Sequence, residues 1–356
     1  MVGFWLALRL QRQADGTGAV ALLNGWITAA LDLGASLQEP SRQESFGAEA
    51  WLLDPEGNRL LLLVLPCYLG EAVLNPRRLE PMGKLLTLLA VGLLALPTAA
   101  GASPWRDEPS VAALFGDAGV EGTFVLLDEG SGELRGHNRS RAKQCFSPAS
   151  TFKIPNALIG LSLGAVASVD EVIPYTGDAD PFMREWLEPM GLRGAMRVSN
   201  VPLYQELARR IGLERMRTAI GQLGYGNEQI GTSVTTFWLR GPLEISSVEQ
   251  TRFLSRLAHQ SLPFPRSAQQ QVAEIMQVDS GPGWSLHAKT GWQNAPAAGV
   301  GWWVGWVQRG DQVTPFALNL AMAGAADAPK REQLGRASLG ALGILSQPSG
   351  APVPVP

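Results

Sequence analysis

The spacing of strand-like segments constrains this chain more than any other feature. Gly122 to Asp128 is rich in β-formers, Glu129-Gly130-Ser131-Gly132 is a turn, and Glu133 to Gly136 reads as a returning strand. Strand character resumes only after Gly281-Pro282-Gly283, in Trp284 to Trp292, Gly301 to Val307 and Phe316 to Met322, with Arg309-Gly310-Asp311 as a turn. From about 156 to 273 the patterning is helical, as in Leu203 to Ile211 and Arg252 to His259, and Arg331 to Ile344 reads as a closing helix. Strands at both ends with helices between them predict an α+β unit. Its antiparallel sheet, flanked by helices, is closed by the two ends of the segment. The sheet lobe falls at about 103–158 and 283–346, the helical second lobe at about 159–282, and 347–356 reads as a disordered tail.

Upstream, Lys84 precedes the apolar run Leu85 to Leu96, and Pro97 to Ser103 follows with small residues at Ala100 and Ala102. This is the three-part form of a secretory signal peptide at 82–102, with cleavage near Ala102. A transmembrane anchor is the other reading, but the run is short for a bilayer and Pro97 interrupts it. Export implies a periplasmic or secreted product. Residues 1–81 hold a helix-like stretch, Gly18 to Leu33, and a hairpin of Trp51 to Leu53 and Leu60 to Leu65 around the turn Asp54 to Asn58. Two accounts of this segment stand: an over-extended start with Met82 as the working one, or a small cytoplasmic domain.

Composition removes several classes of function. A net charge of −3 supplies no field for nucleic acid, and no stable membrane partner is expected. Two cysteines and three dispersed histidines do not make a local metal-ligand motif, so metal chemistry is not expected.

Lysine is confined to positions 84, 143, 153, 289 and 330, so its placement is informative. Ser150-Thr151-Phe152-Lys153 is a Ser-x-x-Lys, whose spacing on a helix puts a hydroxyl and an amine on one face. Ser140-Arg141-Ala142-Lys143 has the same form but lies in a charged stretch with no apolar wall to discharge the amine. Around Ser150, Ser147 reads as a helix cap with Pro148 at the first helical position, while Pro155 should distort that helix. Lys289-Thr290-Gly291 lies on a predicted strand, where glycine admits a close substrate backbone and lysine and threonine offer charge and donors to a carboxylate. Paired in this order, the two motifs are those of serine acyl-transfer enzymes acting on penicillins and peptidoglycan peptides.

From about Ser103 to Leu345 the chain resembles the class D β-lactamases, the serine oxacillinases with the DD-peptidase/β-lactamase-like fold. Ser199-Asn200-Val201 matches that family's Ser-x-Val. Tyr225-Gly226-Asn227 matches its Tyr-Gly-Asn, a segment that also reads simply as a turn. Phe237-Trp238-Leu239 follows at the family's spacing, and Gly301 to Val307 matches the strand after Lys-Thr-Gly-Trp. Arg331 stands at the place of the carboxylate-binding arginine; the plainer reading is a surface charge at a helix N-terminus.

The resemblance implies β-lactam antibiotics as substrates and Ser150 as nucleophile, with an oxyanion hole of the Ser150 and Trp292 N–H groups. It implies that Phe152, Val201, Trp238 and Leu239 enclose Lys153, which captures carbon dioxide as N-carboxylysine and acts as general base, Trp238 being its hydrogen-bond partner. No other cofactor is implied. Ser199 relays a proton with help from Lys289, and Thr290, Gly291 and Arg331 contact the substrate. A non-hydrolysing β-lactam sensor and a penicillin-binding transpeptidase are the alternatives; Val201 at the third place of its motif counts against the transpeptidase.

Overall fold

The computed structural model describes residues 27–28, 31, 34–44, 47–53, 59–64, 104–294 and 299–345. The signal-like segment 82–102, the tail 347–356, the turn 54–58 and nearly all of the helix-like stretch 18–33 lie outside them. The chain divides into two compact units, Met1–Ser103 and Pro104–Pro356.

In the first unit β1 (Ser36–Glu44), β2 (Gly47–Leu53) and β3 (Arg59–Val64) form an antiparallel sheet in that order. Leu53 pairs with Arg59, which closes the hairpin read from the sequence. Buried Ala50 and Leu52 alternate with half-buried Trp51 and Leu53, the two-residue period of a strand with one covered face. β1 escapes a sequence reading because it is polar and contains Pro40, which an edge strand tolerates.

The second unit opens with β4 (Trp105–Asp107) and α1 (Pro109–Asp117), then the hairpin β5 (Gly122–Asp128) and β6 (Glu133–His137). The helical region follows: α2 (Arg139–Lys143), the short strand β7 (Cys145–Phe146), α3 (Lys153–Ser162), α4 (Leu192–Arg197), α5 (Val201–Ile211) and α6 (Leu213–Leu223). β8 (Ile245–Ser246) pairs with β7 and leads into α7 (Ser247–Ala258) and α8 (Arg266–Ile275). The chain ends with β9 (Gln277–Gly281), β10 (Trp284–Gln293), β11 (Gly299–Arg309), β12 (Gln312–Met322) and α9 (Lys330–Ala341).

Seven strands form one sheet in the order β4-β6-β5-β12-β11-β10-β9, so the N-terminal hairpin and C-terminal meander meet at the β5–β12 ladder. Every ladder is antiparallel except β4 with β6, a departure from a wholly antiparallel expectation. β4 lies at the sheet edge outside β6, separated from it in sequence by α1 and β5, and that crossover returns the chain in the direction of β4.

Helices cover both sheet faces. Trp302, Val304 and Trp306 of β11 point into the core shared with α3 to α8, while Trp303 and Val307 point into the core closed by α1 and α9. A strand buried on both sides needs no polar alternation, which accounts for the unbroken apolar run at 302–304. α7 starts five positions before the reading from Arg252, because Ser246 and Glu249 make a reciprocal capping box: Ser246 Oγ accepts from Glu249 N–H at 3.2 Å, and Glu249 Oε2 accepts from Ser246 N–H at 2.8 Å.

Candidate active site

The Ser150 turn differs from the capped α-helix read from the sequence. Ala149–Phe152 is a turn of 3-10 helix, and α3 begins only at Lys153. The Ser147 hydroxyl therefore does not cap; it donates to the Trp238 carbonyl at 2.7 Å. Pro155, expected to distort the helix, lies in the first turn of α3, where a missing N–H is no loss. Change of helix type between Ser150 and Lys153 still leaves the two side chains together: Lys153 Nζ donates to Ser150 Oγ at 2.7 Å.

The second pair comes from two other elements. Asn200 caps α5 by accepting from Leu203 N–H at 3.0 Å, and its Nδ2 donates to the Trp186 carbonyl at 3.2 Å. Ser199, just before this cap, has a left-handed φ of 53°. Lys289 Nζ of β10 donates to Ser199 Oγ at 2.9 Å and to the Thr290 carbonyl at 2.8 Å, with Thr290 Oγ1 at 3.4 Å.

β10 passes close against the Ser150 turn. A Cβ at Gly291 would stand 3.1 Å from the Pro148 carbonyl oxygen and 3.2 Å from Thr151 N, so any larger residue would press on the Ser150 turn, which would have to give by a few tenths of an ångström. Arg331, in the first turn of α9, donates from Nη1 to the Gly291 carbonyl at 2.6 Å and from Nε to the Ala328 carbonyl at 2.8 Å. Those bonds place it beside the Lys-Thr-Gly strand and not among free surface charges. Trp292 and Val201 are half-buried, the latter opening α5, and half-buried Leu239 packs against the helical-lobe core.

Trp238 is buried and stacked on Phe152, with centroids 5.3 Å apart, and Phe237 meets both rings edge-on. Among the described residues its Nε1–H has no hydrogen-bond partner. The Tyr225-Gly226-Asn227 segment is more than a turn. Asn227 Nδ2 donates to the Pro242 carbonyl at 2.7 Å, its Oδ1 accepts from Glu244 N–H at 3.1 Å, and Asn227 N–H donates to the Glu244 carbonyl at 2.8 Å. The segment thus clamps the end of the loop that carries Trp238.

The electrostatics follow from burial. Lys153 is wholly buried, and loss of solvent, then the charge of Lys289, hold its amine well below the usual lysine range. Burial, then the charge of Arg331, push Lys289 down to about 7. Burial also lowers Arg331, against the opposing pull of Glu332. A discharged amine at Lys153, an amine at Lys289 brought down to about 7 and a guanidinium near two serine hydroxyls form a site suited to moving protons and receiving an anion. Among the described residues no three His, Cys, Asp or Glu side chains gather where they could hold a metal ion.

Known proteins share the sequence and the fold that carry this site. The sequence model of the penicillin-binding-protein transpeptidase domain matches residues 122–340. β-Lactamase OXA-48 of Klebsiella pneumoniae is 39% identical over 241 residues, spanning 67% of this chain and 91% of that protein. The chain belongs to the class D β-lactamases. OXA-5 of Pseudomonas aeruginosa is 37% identical over 234 residues, 65% of this chain and 87% of that β-lactamase. The crystal structure of FUS-1 (OXA-85), a class D β-lactamase from Fusobacterium nucleatum subsp. polymorphum, superposes with a TM-score of 0.66 at 38% identity, covering 68% of this chain and all of that one. The transpeptidase match and the class D matches meet on one fold, the α+β DD-peptidase/β-lactamase-like architecture.

Proposed function

We propose that this class D chain hydrolyses β-lactam antibiotics through an acyl-enzyme on Ser150, and that a carbamate on Lys153 is its general base. The observation that carries the reading is the 2.7 Å contact between Ser150 Oγ and the buried, discharged amine of Lys153. A hydroxyl alone is a weak nucleophile, and a base in hydrogen-bond contact activates it.

In the proposed sequence Ser150 Oγ attacks the lactam carbonyl carbon while its proton leaves along the contact to Lys153. The N–H groups of Ser150 and Trp292 stabilise the oxyanion, an effect worth about 3–4 kcal/mol per donor in acyl-transfer enzymes. The C–N bond of the ring breaks, and the ring nitrogen takes the Ser199 proton, which Lys289 replaces across 2.9 Å. Thr290 and Arg331 hold the substrate carboxylate. The proton taken from Ser150 passes on to restore the one Lys289 gave. Water then attacks the ester carbonyl as its proton leaves to the Lys153 base, the C–Oγ bond breaks, and that proton goes to Ser150 Oγ, which releases the ring-opened acid.

The residues present fit the carbamate. Its formation needs an unprotonated amine in a dry pocket, which the burial of Lys153 supplies, and it adds an anion that needs a donor, which the unpartnered Trp238 Nε1–H offers. Once in place the carbamate would supply an acceptor for the serine and water protons at neutral pH. Protein freed of carbon dioxide by acid treatment is expected to turn over slowly and to recover on addition of bicarbonate, and Trp238→Phe to need more bicarbonate. Indifference to bicarbonate, or full activity in Lys153→Ala, contradicts this mechanism.

Residues 103–346 are the proposed catalytic domain, exported through the segment 82–102. A mature N-terminus at Ser103, read by mass spectrometry, is the expected outcome.

A further inference from the structure

Ser150 is held by backbone that no motif advertises. Ala149, immediately before it, has a φ of 47°. A non-glycine residue there costs about 1–3 kcal/mol, so the surroundings must enforce it. On one side the enforcement is by Trp238, whose carbonyl accepts from Ala149 N–H at 2.9 Å and Ser147 Oγ–H at 2.7 Å. On the other side the Pro148 carbonyl accepts from Thr151 Oγ1–H at 2.8 Å and Thr151 N–H at 3.1 Å.

The direction of the Thr151 hydroxyl is fixed from behind. Gln250 Nε2–H donates to Thr151 Oγ1 at 2.9 Å, and the Tyr225 hydroxyl lies 3.5 Å from Gln250 Oε1 as its donor. All three side chains are buried. Because the Gln250 amide occupies an oxygen lone pair of Thr151, the single hydroxyl proton is directed to Pro148. That same corner abuts β10, since a Cβ at Gly291 would stand 3.1 Å from both the Pro148 oxygen and Thr151 Cγ2. The corner therefore lies where the Ser150 turn meets β10, the two elements that carry the Ser150 and Trp292 N–H groups assigned to the oxyanion.

We propose that Thr151 and Gln250 are positioning residues for acyl transfer, a buried relay from Tyr225 through Gln250 and Thr151 to the Pro148 carbonyl that fixes the Ser150 turn against β10. The proposal rests on the reading of Ser150 as nucleophile. It also gives Tyr225, of the Tyr-Gly-Asn segment, a part in the site that it does not touch directly.

The test compares full-length wild type with Thr151→Val, Thr151→Ser and Gln250→Glu, using steady-state hydrolysis of a chromogenic cephalosporin. Each rate is normalised to the folded fraction of the protein, read by near-UV circular dichroism, so that unfolded molecules drop out. Misplacement of oxyanion donors predicts that Thr151→Val lowers kcat on the order of 10- to 100-fold while KM moves less than about threefold. Thr151→Ser, which keeps the hydroxyl, recovers most of the rate. Gln250→Glu resembles Thr151→Val, because a carboxylate draws the Thr151 proton away from Pro148. Thr151→Val and Gln250→Glu both within about twofold of wild type, or Thr151→Ser as slow as Thr151→Val, overturn the inference while leaving the proposed function standing. Wild type that neither acylates nor turns over overturns both.

Discussion

Lys153 and Lys289 share one cause for their chemistry: each is an amine taken out of water with a cation, not a carboxylate, as its electrostatic neighbour. Such burial is unfavourable for folding. For Lys289 the folded-state value of about 7 lies below the unfolded value of 10.5, so between these the unfolded chain binds the extra proton. The lysine's penalty is absent above the unfolded value, grows as pH falls through the window and is complete below about 7. Lys289→Met is therefore expected to be more stable than wild type at pH 7 by about 1–4 kcal/mol in urea unfolding, with a flatter pH dependence from 7 to 10.5, while catalysis is lost. A less stable variant would contradict this account of the site. At this scale the sequence was informative where side chains fall in spaced motifs: Ser150 with Lys153, and Lys289 with Thr290. Thr151 and Gln250 carried no such signal, because among the polar residues of Ser247–Ala258 and of the Ser150 turn nothing in the sequence separates a buried, partnered side chain from a solvent-facing one.

The elements that present these residues are fixed by local backbone rules of unequal legibility. β5, β10, β11 and β12 announce themselves by β-branched and aromatic runs between glycine-rich turns. The 3-10 turn at Ala149–Phe152 does not, since its signature is a strained Ala149 imposed by the Trp238 and Pro148 carbonyls from outside the segment. The start of α7 was legible in Ser246-Ser247-Val248-Glu249, a capping box that hydrophobic periodicity alone overlooks. Gly226 belongs to this scale as well. It has a φ of 57°, and an added Cβ would meet the Glu244 carbonyl oxygen at 2.1 Å. Gly226→Ala is expected to lose at least about 1–3 kcal/mol in denaturant unfolding. It should also weaken the bicarbonate response, because the loop it anchors carries Trp238. Unchanged stability and response would show that Tyr225-Gly226-Asn227 is a dispensable turn.

For the whole molecule, strands at both ends of 103–346 dictated one sheet closed by its termini, and the β5–β12 ladder makes that closure. The parallel β4–β6 pair and the polar edge strand β1 were not legible, since a three-residue strand and a proline-containing one carry almost no periodicity. In a chain of net charge −3, Arg331, and Lys289 where it is protonated, place positive charge beside the Lys-Thr-Gly strand, where an anionic substrate would arrive. The central claim is that this site completes a hydrolytic cycle and does not stop at acylation. The most direct measurement is hydrolysis of a chromogenic cephalosporin by the full-length chain in bicarbonate buffer, followed well beyond one equivalent. Sustained turnover, abolished in Ser150→Ala, is the predicted result. A burst of one equivalent that then stops, with the acyl group stable on Ser150, would contradict it and mark the protein as a β-lactam sensor.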